Sequence, residues 1–359
     1  MRSPTLLVLR ALGLGDLLTA APSLRGLAAA FPDHHRVLAA PRALAPLLRL
    51  LRGPRGEPVI DQVVHASGLA TLPSDLDGVS VAVNLHGRGP DSHRRLLDLA
   101  PGRLMAFAHP QVPESRPGPR WIAAEHEVDR WCRMLGEAGV PCDPGALDLE
   151  LPSPEQTSLP IPAAMLRGAT LLHPGASSAA RRWPPDRWTA LARAEVRAGR
   201  TVLLSGGRAE AALAEGIARA AGLPPDAVLA ARTRLLDLAA VVGAAGRVVC
   251  GDTGVGHLAT ALGTPSVLLF GPVAPQEWGP PRGQSRHRVL WAGLRGDPHA
   301  GRPDPGLLQI GVADVLAELA ELDRLGSSFQ QPQLTLEAPA DGSPAREHLG
   351  STAQGAAQS

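Results

Sequence analysis

Short apolar runs alternate with longer amphipathic stretches along most of the chain, and this alternation limits the possible folds more than any other feature. Thr5–Arg10, Arg36–Ala40 and Val79–Leu85 are such runs in the first part of the sequence. Each is bounded by Gly, Pro or polar residues, which favours a strand buried on both faces. Because helical stretches separate the strands, the pattern predicts βαβ units and a parallel α/β sheet.

The alternation stops between residues 141 and 162, where Pro and Ser are frequent, and it resumes at Ala169–His173. We interpret the interruption as a linker and predict two α/β domains, 1–150 and 151–325, with a ligand cleft between them. Residues 326–359 are rich in Gln, Ser, Pro, Gly and Ala. That composition predicts a disordered tail.

Composition excludes several classes of partner. The formal net charge of the 359-residue chain is +1 and its aromatic share is 3%. It therefore has neither the positive field that attracts nucleic acid nor the rings that stack on single strands. Every basic residue is an Arg, and the sequence contains no Lys. An Arg can thus stand where another sequence would use the charge of a Lys.

The distribution of cysteines and apolar residues predicts a cytoplasmic location. Cys132, Cys142 and Cys250 form no CxxC pair, which argues against a zinc site or a disulfide framework and favours a reducing compartment. Arg10 and Asp16 interrupt the apolar N-terminus, so a buried strand explains it better than a signal peptide does. No stretch has the length of a membrane span.

The stretch 42–55 contains four Arg among Leu-rich neighbours and no acidic residue. We favour a helix whose Arg side chains face solvent. The alternative is a contact between this stretch and anionic lipid or a lipid-linked acceptor. We therefore expect at most a peripheral contact with the inner face of the membrane.

A Gly-x-Gly turn follows the first predicted strand and opens a helix. Gly13 and Gly15 let a ligand approach the backbone, and the helix N-terminus favours an anion. A dinucleotide fingerprint requires a third small residue where this chain has Leu18, which disfavours a nicotinamide cofactor and an oxidoreductase. Asp16 lies at the mouth of the sheet, where spacing alone supports either a functional carboxylate or a helix cap. Pro22 predicts a break within the helix.

The turn Gly251–His257 (Gly-Asp-Thr-Gly-Val-Gly-His) also links a strand to a helix. Thr253 is a plausible N-cap, and the glycines expose amides that suit a diphosphate. His257 lies one helical turn beyond Thr253 on the same side. The alternative is a capped helix with a buried His. We favour the ligand, since each Gly in a first turn costs about 1 kcal/mol and something must offset that cost.

The third turn is His173–Ser178, which Arg181, Arg182 and Trp183 follow. Paired guanidinium groups can neutralise a pyrophosphate, although a solvated Arg pair before a Pro-started helix explains the same residues. Glu210 follows the next strand end. It is either a carboxylate that binds a ribose diol or an ordinary first-turn Glu that the helix dipole favours.

Asn84, His86 and Arg88 end a strand of the first domain. We predict that they contact an acceptor in the cleft together with Gly15, and His126 is a further candidate. A satisfied polar residue at a strand end is the plainer explanation for each His.

Asp75-Leu76-Asp77 has the form of the metal-binding DxD motif of another transferase fold. It lies among Pro, Ser and Gly with no His or Glu partner nearby. We interpret it as a surface turn and expect neither a metal nor a cofactor.

These turns, in this order and at these separations, resemble glycosyltransferase family 9, the ADP-heptose:lipopolysaccharide heptosyltransferases and their relatives. The resemblance covers residues 5–325, and its matching segments are LVLRALGLGDLLTAAPSLRGLAAAFP, HPGASSAARRWPPDRW and VVCGDTGVGHLATALGTPSVLLFGP. The DTGxxH stretch is the most specific part. The resemblance implies a GT-B architecture, with two Rossmann-like domains facing each other and the helix at 312–325 packing back on the N-terminal domain.

The resemblance also implies roles for individual residues, in an inverting transfer without a metal. Asp16 falls on the family's candidate base. Arg181 falls on a phosphate-binding Lys and would keep only its electrostatic role, because a guanidinium does not readily give up a proton. The other implied donor-binding residues are Ser177, Glu210, Asp252, Thr253, Gly254 and His257.

The implied partners are a nucleotide-diphosphate sugar similar to ADP-heptose and a hydroxyl of a glycan, glycolipid or other envelope acceptor. The first domain would bind the acceptor and the second domain the donor. A helix N-terminus should keep Asp16 ionised and make it a weak base. A nucleotide-sugar epimerase, and a non-catalytic nucleotide-sugar-binding protein in which Asp16 is only a cap, are the alternatives.

Overall fold

The computed structural model describes residues 3–69, 72, 76 and 79–326. Within these residues, five parallel strands form the first sheet, in the order β3-β2-β1-β4-β5. The strands are β1 (Thr5–Leu9), β2 (His35–Ala40), β3 (Gln62–His65), β4 (Val81–Asn84) and β5 (Arg103–Met105). The accompanying helices are α1 (Leu14–Thr19), α2 (Ala21–Ala30), α3 (Ala45–Leu48), α4 (Asp91–Leu97) and α5 (Glu127–Glu137).

The second sheet also has five parallel strands among the described residues, in the order β10-β9-β8-β6-β7. Its strands are β6 (Thr170–His173), β7 (Val202–Leu204), β8 (Arg247–Gly251), β9 (Ser266–Phe270) and β10 (His287–Trp291). Its helices are α6 (Pro185–Arg197), α7 (Ala211–Ala221), α8 (Leu235–Ala244), α9 (Gly254–Ala261), α10 (Pro275–Trp278) and α11 (Val312–Leu325).

Both sheets have a point where the strand order reverses, and the predicted turns lie there. In the first sheet β1 has β2 on one side and β4 on the other, and Leu9 pairs with both Ala39 and Asn84. In the second sheet β6 lies between β7 and β8. Ligands of open parallel sheets bind at the carboxyl ends of strands at such points. The fold therefore puts the turns after β1, β6 and β8 where a ligand is expected.

The strands are the most deeply buried elements. Leu6, Leu7 and Val8 of β1 are fully buried, as are Leu171 and Leu172 of β6. Burying a side chain of this size contributes about 1.5–3 kcal/mol. This burial on both faces explains the continuous apolar runs in the sequence.

The first long helix is broken, as Pro22 predicted. α1 ends and α2 begins at Ala20, with Pro22 in the first turn of α2, where a missing amide N–H costs nothing. The predicted helix within residues 42–55 is mostly a short 3₁₀ turn followed by α3. Leu47 and Leu48 of α3 are buried in the core, so this segment does not turn its leucines outward.

The last helix, α11, packs differently from the prediction. It lies against α6, β9 and β10 of its own domain, and Val315, Leu319 and Leu322 share a core with Trp183 and Trp188. These three apolar residues follow an i, i+4, i+7 spacing, so they lie on one face of α11, and that face packs against the second domain. The expectation that this helix packs back on the N-terminal domain is therefore wrong.

The segment between the domains is fixed to both of them. The Leu149 N–H donates to the Ala261 carbonyl (2.9 Å) and the Glu150 N–H to the Leu50 carbonyl (2.9 Å). The Arg25 guanidinium of α2 binds the carbonyl (2.8 Å) and carboxylate (3.1 Å) of Asp148. This short stretch therefore holds the two domains in one orientation.

Some predictions concern residues outside this description. Asp75 and Asp77 of the DxD stretch and residues 327–359 of the predicted tail lie outside the described residues. In the part of the chain that is described, no helix combines the length and apolarity needed to cross a bilayer.

Candidate active site

The two glycine-rich turns meet across the cleft. A Cβ placed on Gly15 would lie 2.8 Å from Cδ2 of His257, and one placed on Gly254 would lie 2.8 Å from Cβ of Leu14 and 3.1 Å from the Gly15 nitrogen. Real Cβ atoms do not come this close to their neighbours, so only glycine permits the contact between the N-termini of α1 and α9. The structure gives Gly15 this packing function, whereas the sequence assigned it to an acceptor.

A cavity of about 450 Å³ opens beside this contact, which is the size of a small-ligand site. Both domains line it. The first domain contributes Gly13, Leu14, Gly15 and Asp16, and the second domain contributes Ser177, Arg181, Asp252, Thr253, Gly254, His257, Val273, Trp278, Pro298 and His299. The cavity therefore unites Asp16 with most of the predicted donor residues.

The wall formed by the second domain carries polar atoms without partners. Nε of Arg181 and Oγ1 of Thr253 are buried and have no hydrogen-bond partner within the described part of the chain. Thr253 is the N-cap of α9, as predicted, but its side chain makes no cap bond. Buried unpaired polar atoms destabilise a protein unless a ligand or water satisfies them. Together with the open amides of α9, they form a surface suited to an anion.

Only one of the two predicted Arg residues reaches the cavity. Arg181 lies 3.6 Å from the Asp252 carboxylate. Arg182 instead turns back and donates through Nε (3.0 Å) and Nη2 (2.9 Å) to the Ala176 carbonyl, which holds the turn after β6. Ser177 is exposed at the cavity wall. The paired-guanidinium arrangement expected from the sequence is therefore not formed.

Glu210 lies at the same edge of the sheet but outside the lining of the cavity. Its carboxylate accepts the Gly207 N–H (2.7 Å). A Cβ on Gly175 would lie 1.9 Å from Oε1 of Glu210, so the carboxylate covers the turn after β6. The structure thus supports the interpretation of Glu210 as a first-turn residue that caps its helix. Binding of a ribose by Glu210 stays a prediction.

The predicted acceptor residues have different environments. Asn84 is fully buried; its side chain bonds to Gly87, Ser92 and His93 and accepts the His86 N–H. It therefore shapes the turn after β4 and does not reach an acceptor. His86 is half-buried, and its Nδ1 accepts the Ala11 N–H (3.2 Å). Burial, reinforced by the charge of Arg10, lowers the pKa of His86. Arg88 is exposed.

His126 connects the two domains. Its Nε2 donates to the Gly279 carbonyl (3.0 Å), and its Nδ1 accepts the Val128 N–H (3.3 Å) as the N-cap of α5. His126 thus fixes the domains instead of approaching the acceptor as predicted.

His257 is an uncharged part of the cavity wall. Burial lowers its pKa to about 4, and the nearby His126 acts in the same direction. Its ring meets that of Trp278 edge-on, with the centroids 6.1 Å apart. A neutral imidazole can donate or accept a hydrogen bond but adds no charge for a diphosphate. The positive charge on this wall therefore comes from Arg181 and the amides of α9.

Asp16 is both a cap and an accessible carboxylate. It occupies the third position of α1, and its Oδ2 accepts the Gly13 N–H (3.1 Å). Its side chain is 27% exposed and lines the cavity. Burial raises the pKa of Asp16 and Glu127 adds to this, against the opposing effects of Arg10 and the Gly13 amide. Burial therefore outweighs the helix N-terminus, and the pKa of Asp16 moves in the direction opposite to that expected from the sequence.

Arg10 and Glu127 of this site were missed in the sequence. Arg10 directly follows β1 and is 1% exposed, and its Nη2 donates to Oε1 of Glu127 (2.9 Å). Trp278, Pro298 and His299 of the cavity wall were missed as well. A charged residue at the end of an otherwise apolar strand was the one available signal for Arg10. Nothing in the sequence pairs it with a residue so distant along the chain.

Asp252→Asn is expected to stabilise the ligand-free protein at about pH 8 and to have little effect near pH 4. Burial raises the pKa of Asp252 from 3.8 to about 6, Arg181 opposes this, and Asp16 adds to it. Above pH 6 the folded protein carries the cost of a buried charge, about 3 kcal/mol for this difference in pKa. Below pH 4 the carboxyl is protonated in both folded and unfolded states, and the cost disappears. Urea denaturation of both proteins across this range measures it, and equal stabilities at pH 8 would contradict it.

The fold and the site together define a class: a two-domain α/β protein of GT-B architecture that holds its ligand between two facing Rossmann-like sheets. The family model of glycosyltransferase family 9 (heptosyltransferase) matches residues 119–303, which is more than half of the chain. The chain therefore belongs to glycosyltransferase family 9, a family of glycosyltransferase enzymes.

Individual relatives agree with this assignment. Lipopolysaccharide heptosyltransferase 1 of Pseudomonas aeruginosa is 41% identical over 102 residues, and the match spans 28% of this chain and 28% of that relative. The glycosyltransferase family 9 structure from Veillonella parvula has a TM-score of 0.68 at 19% identity, covering 89% of this chain and 97% of that one. The ADP-heptose lipopolysaccharide heptosyltransferase II of E. coli has a TM-score of 0.66 at 22% identity, with 90% and 99% covered. These two structures confirm the predicted GT-B fold.

Proposed function

We propose that this protein transfers a heptose-like sugar from a nucleotide diphosphate, such as ADP-heptose, to a hydroxyl of a lipopolysaccharide-like glycolipid or glycan. One observation carries the proposal: a single cavity has an anion-binding wall around Arg181 and Thr253 and a carboxylate, Asp16, on the other domain. The relatives named for heptose transfer support the choice of sugar and acceptor.

The chemistry follows from the charges that develop during transfer. As the acceptor oxygen attacks the anomeric carbon, the bond from that carbon to the diphosphate breaks, and negative charge collects on the leaving group. Arg181 and the amides of α9 stabilise this charge. Asp16 accepts the proton of the acceptor hydroxyl. Its raised pKa brings it nearer to the range in which a general base is effective.

The proposed transfer inverts the anomeric centre and needs no metal. The acceptor base belongs to the first domain and the diphosphate wall to the second, so attack and departure occur from opposite sides of the sugar. Arg181 supplies the cation that a metal would otherwise provide. The three cysteines are free thiols, which supports action in the cytoplasm, with at most a peripheral contact at the membrane.

A thermal-shift panel of ADP-, GDP-, UDP- and dTDP-sugars tests the donor. A ligand present at about 100 times its Kd stabilises the folded state by about 2.7 kcal/mol, and we expect the ADP-sugar to raise Tm most. Transfer to a lipopolysaccharide acceptor should then persist in excess EDTA. No response to any nucleotide sugar would contradict the proposal. Turnover of the donor without an acceptor would favour an epimerase, and binding without turnover would favour a non-catalytic binding protein.

A further inference from the structure

Four of the five guanidinium N–H donors of Arg10 have an acceptor. Its Nε donates to the carbonyl of Asp16 (2.9 Å), and its Nη1 donates to the carbonyl of Leu85. Its Nη2 donates to Oγ1 of Thr19 (3.2 Å) and to Oε1 of Glu127 (2.9 Å). Because Nη2 carries two hydrogens, these two acceptors use both of them. The guanidinium thus holds the backbone at Asp16 with no Nη2 hydrogen left for its carboxylate.

This leaves one oxygen of Asp16 without a donor. Oδ1 of Asp16 lies 3.5 Å from Nη2 of Arg10, beyond the usual length of a charged hydrogen bond. Oδ2 takes the Gly13 N–H. Oδ1 is therefore the oxygen that can receive a proton from an acceptor hydroxyl.

Glu127 competes with Asp16 for the guanidinium. Its side chain is 5% exposed, and Oε1 also accepts the Trp131 indole N–H (2.7 Å), while Oε2 accepts from Arg130. Burial alone would raise the pKa of Glu127. The pKa is nevertheless below its ordinary value, because the carboxylate is stabilised by Arg10, Trp131 and Arg130. The Arg10 guanidinium also lies over the Trp131 ring, 5.0 Å from its centroid. Glu127 is thus a buried anion held in place by Arg10, Trp131 and Arg130, and it does not line the cavity.

We propose that Glu127 is a positioning residue for the transfer: by holding the Arg10 guanidinium, it keeps Arg10 from pairing with the Asp16 carboxylate and leaves Oδ1 free to accept the proton. This inference rests on the proposed function, in which Asp16 is the base. Arg10 and Asp16 already form a long ion pair, with Nη2 3.5 Å from Oδ1. Without the Glu127 charge, Nη2 can turn a hydrogen to Oδ1, and the resulting direct hydrogen bond withdraws Asp16 from the acceptor.

Other charged and titratable groups near Asp16 come from several elements. Arg10 and Glu127 act on it directly, and Asp252 of the turn after β8 interacts with it. Arg181, His257 and His299 line the same cavity as Asp16, while His86 lies near Arg10. The pKa values of His86 and His257 are both lowered. Of these groups, Glu127 contacts Arg10 without lining the cavity, so replacing it changes Asp16 in two ways: by removing its own charge and by releasing Arg10.

Glu127→Gln tests this, because the amide keeps the shape and removes the charge. We expect the pH midpoint of Asp16 titration to fall by about 1 or more, since an opposite charge moves into direct contact. It is measured by NMR on the ligand-free protein with ¹³C-labelled aspartate side chains, with the Asp16 signal assigned from Asp16→Asn. We expect kcat to fall at least about tenfold, and the acidic limb of its pH profile to move to lower pH.

A double variant separates positioning from structural support. With Arg10→Gln already present, no cation remains to capture Asp16, so adding Glu127→Gln removes only the direct repulsion between the two carboxylates. It should then lower the Asp16 midpoint clearly less than it does in the presence of Arg10. Glu195→Gln is the matched control: Glu195 is also buried and also accepts from an Arg, Arg247 (2.6 Å), but it lies in the second domain outside the cavity lining. It should lower Tm without moving the Asp16 midpoint.

An Asp16 midpoint that does not change in Glu127→Gln would overturn the inference. So would a finding that Glu127→Gln lowers kcat by the same factor in the wild-type protein and in Arg10→Gln. If Glu127→Gln does not fold, Glu127→Asp keeps the charge but shortens its reach to Arg10, and its Asp16 midpoint should also fall. The NMR titration needs no substrate. A wild-type protein that transfers no sugar would therefore count against the proposed function alone, while the titration still decides whether Glu127 controls Asp16.

Discussion

Gly254→Ala is expected to reduce sugar transfer about 100-fold or more while both domains remain folded. The added methyl would lie 2.8 Å from Cβ and 3.0 Å from Cγ of Leu14, and 3.1 Å from the Gly15 nitrogen. These neighbours belong to the opposite domain, and a backbone nitrogen cannot move aside as a flexible side chain can. The cleft must open instead, and a misplacement of about 1 Å between reacting groups costs about 100-fold.

Gly216→Ala is the matched control for this substitution. Gly216 is also a helical glycine, in α7, and a Cβ there meets no atom within 4 Å. Both substitutions should stabilise their helices by up to about 1 kcal/mol, but only Gly254→Ala should lose activity. Steady-state transfer assays and Tm measurements compare the two. Wild-type turnover in Gly254→Ala would mean that the contact between α1 and α9 is not needed for catalysis.

Asp16→Asn is expected to lower kcat about 100-fold or more, with donor binding nearly unchanged. The amide occupies the same space and can still accept the Gly13 N–H through its oxygen, so α1 should form normally. It cannot take a proton from the acceptor, and a general base contributes about 100- to 10,000-fold. Transfer kinetics together with donor titration by calorimetry measure both effects.

Asp314→Asn controls for the cap that Asp16 also forms. Asp314 is the third residue of α11 and accepts the N–H of an N-cap glycine, Gly311 (2.8 Å), which repeats the arrangement of Asp16 and Gly13. It lies outside the residues that line the cavity. Equal activity losses in the two variants would assign the effect to helix capping, and a loss confined to Asp16→Asn would assign it to proton transfer.

Most of the fold could be predicted from the sequence because its signals are local. β1, β4 and β6 lie within the predicted runs Thr5–Arg10, Val79–Leu85 and Ala169–His173, and α11 has the bounds expected for the last helix, 312–325. β5 and β10 were missed because their apolar patterns are weak: β5 has only three residues, one of them buried, and four of the five residues of β10 are half-buried. The packing of α11 was wrong because a helix sequence shows which face is apolar but not which surface that face meets.

The candidate site was predictable to a similar degree. Its turns follow strands at sheet edges, so Asp16, Arg181 and Asp252 could be brought to one cleft by topology alone. The pKa shifts within the site could not be predicted from the sequence. The basicity of Asp16 depends on burial and on Glu127, and Glu127 reaches this site because α5 folds back beside the end of β1. Similarly, the role of Gly15 depends on atoms of the other domain.

The most direct test of the account is a crystal structure with an unreactive nucleotide-diphosphate sugar bound. We predict that the diphosphate contacts the Arg181 guanidinium, Oγ1 of Thr253 and the first amides of α9. We also predict that the anomeric carbon faces Oδ1 of Asp16 from the side opposite the leaving diphosphate, with room for one acceptor hydroxyl between them. A donor bound away from the Asp252–His257 turn, or an anomeric carbon turned away from Asp16, would contradict the account.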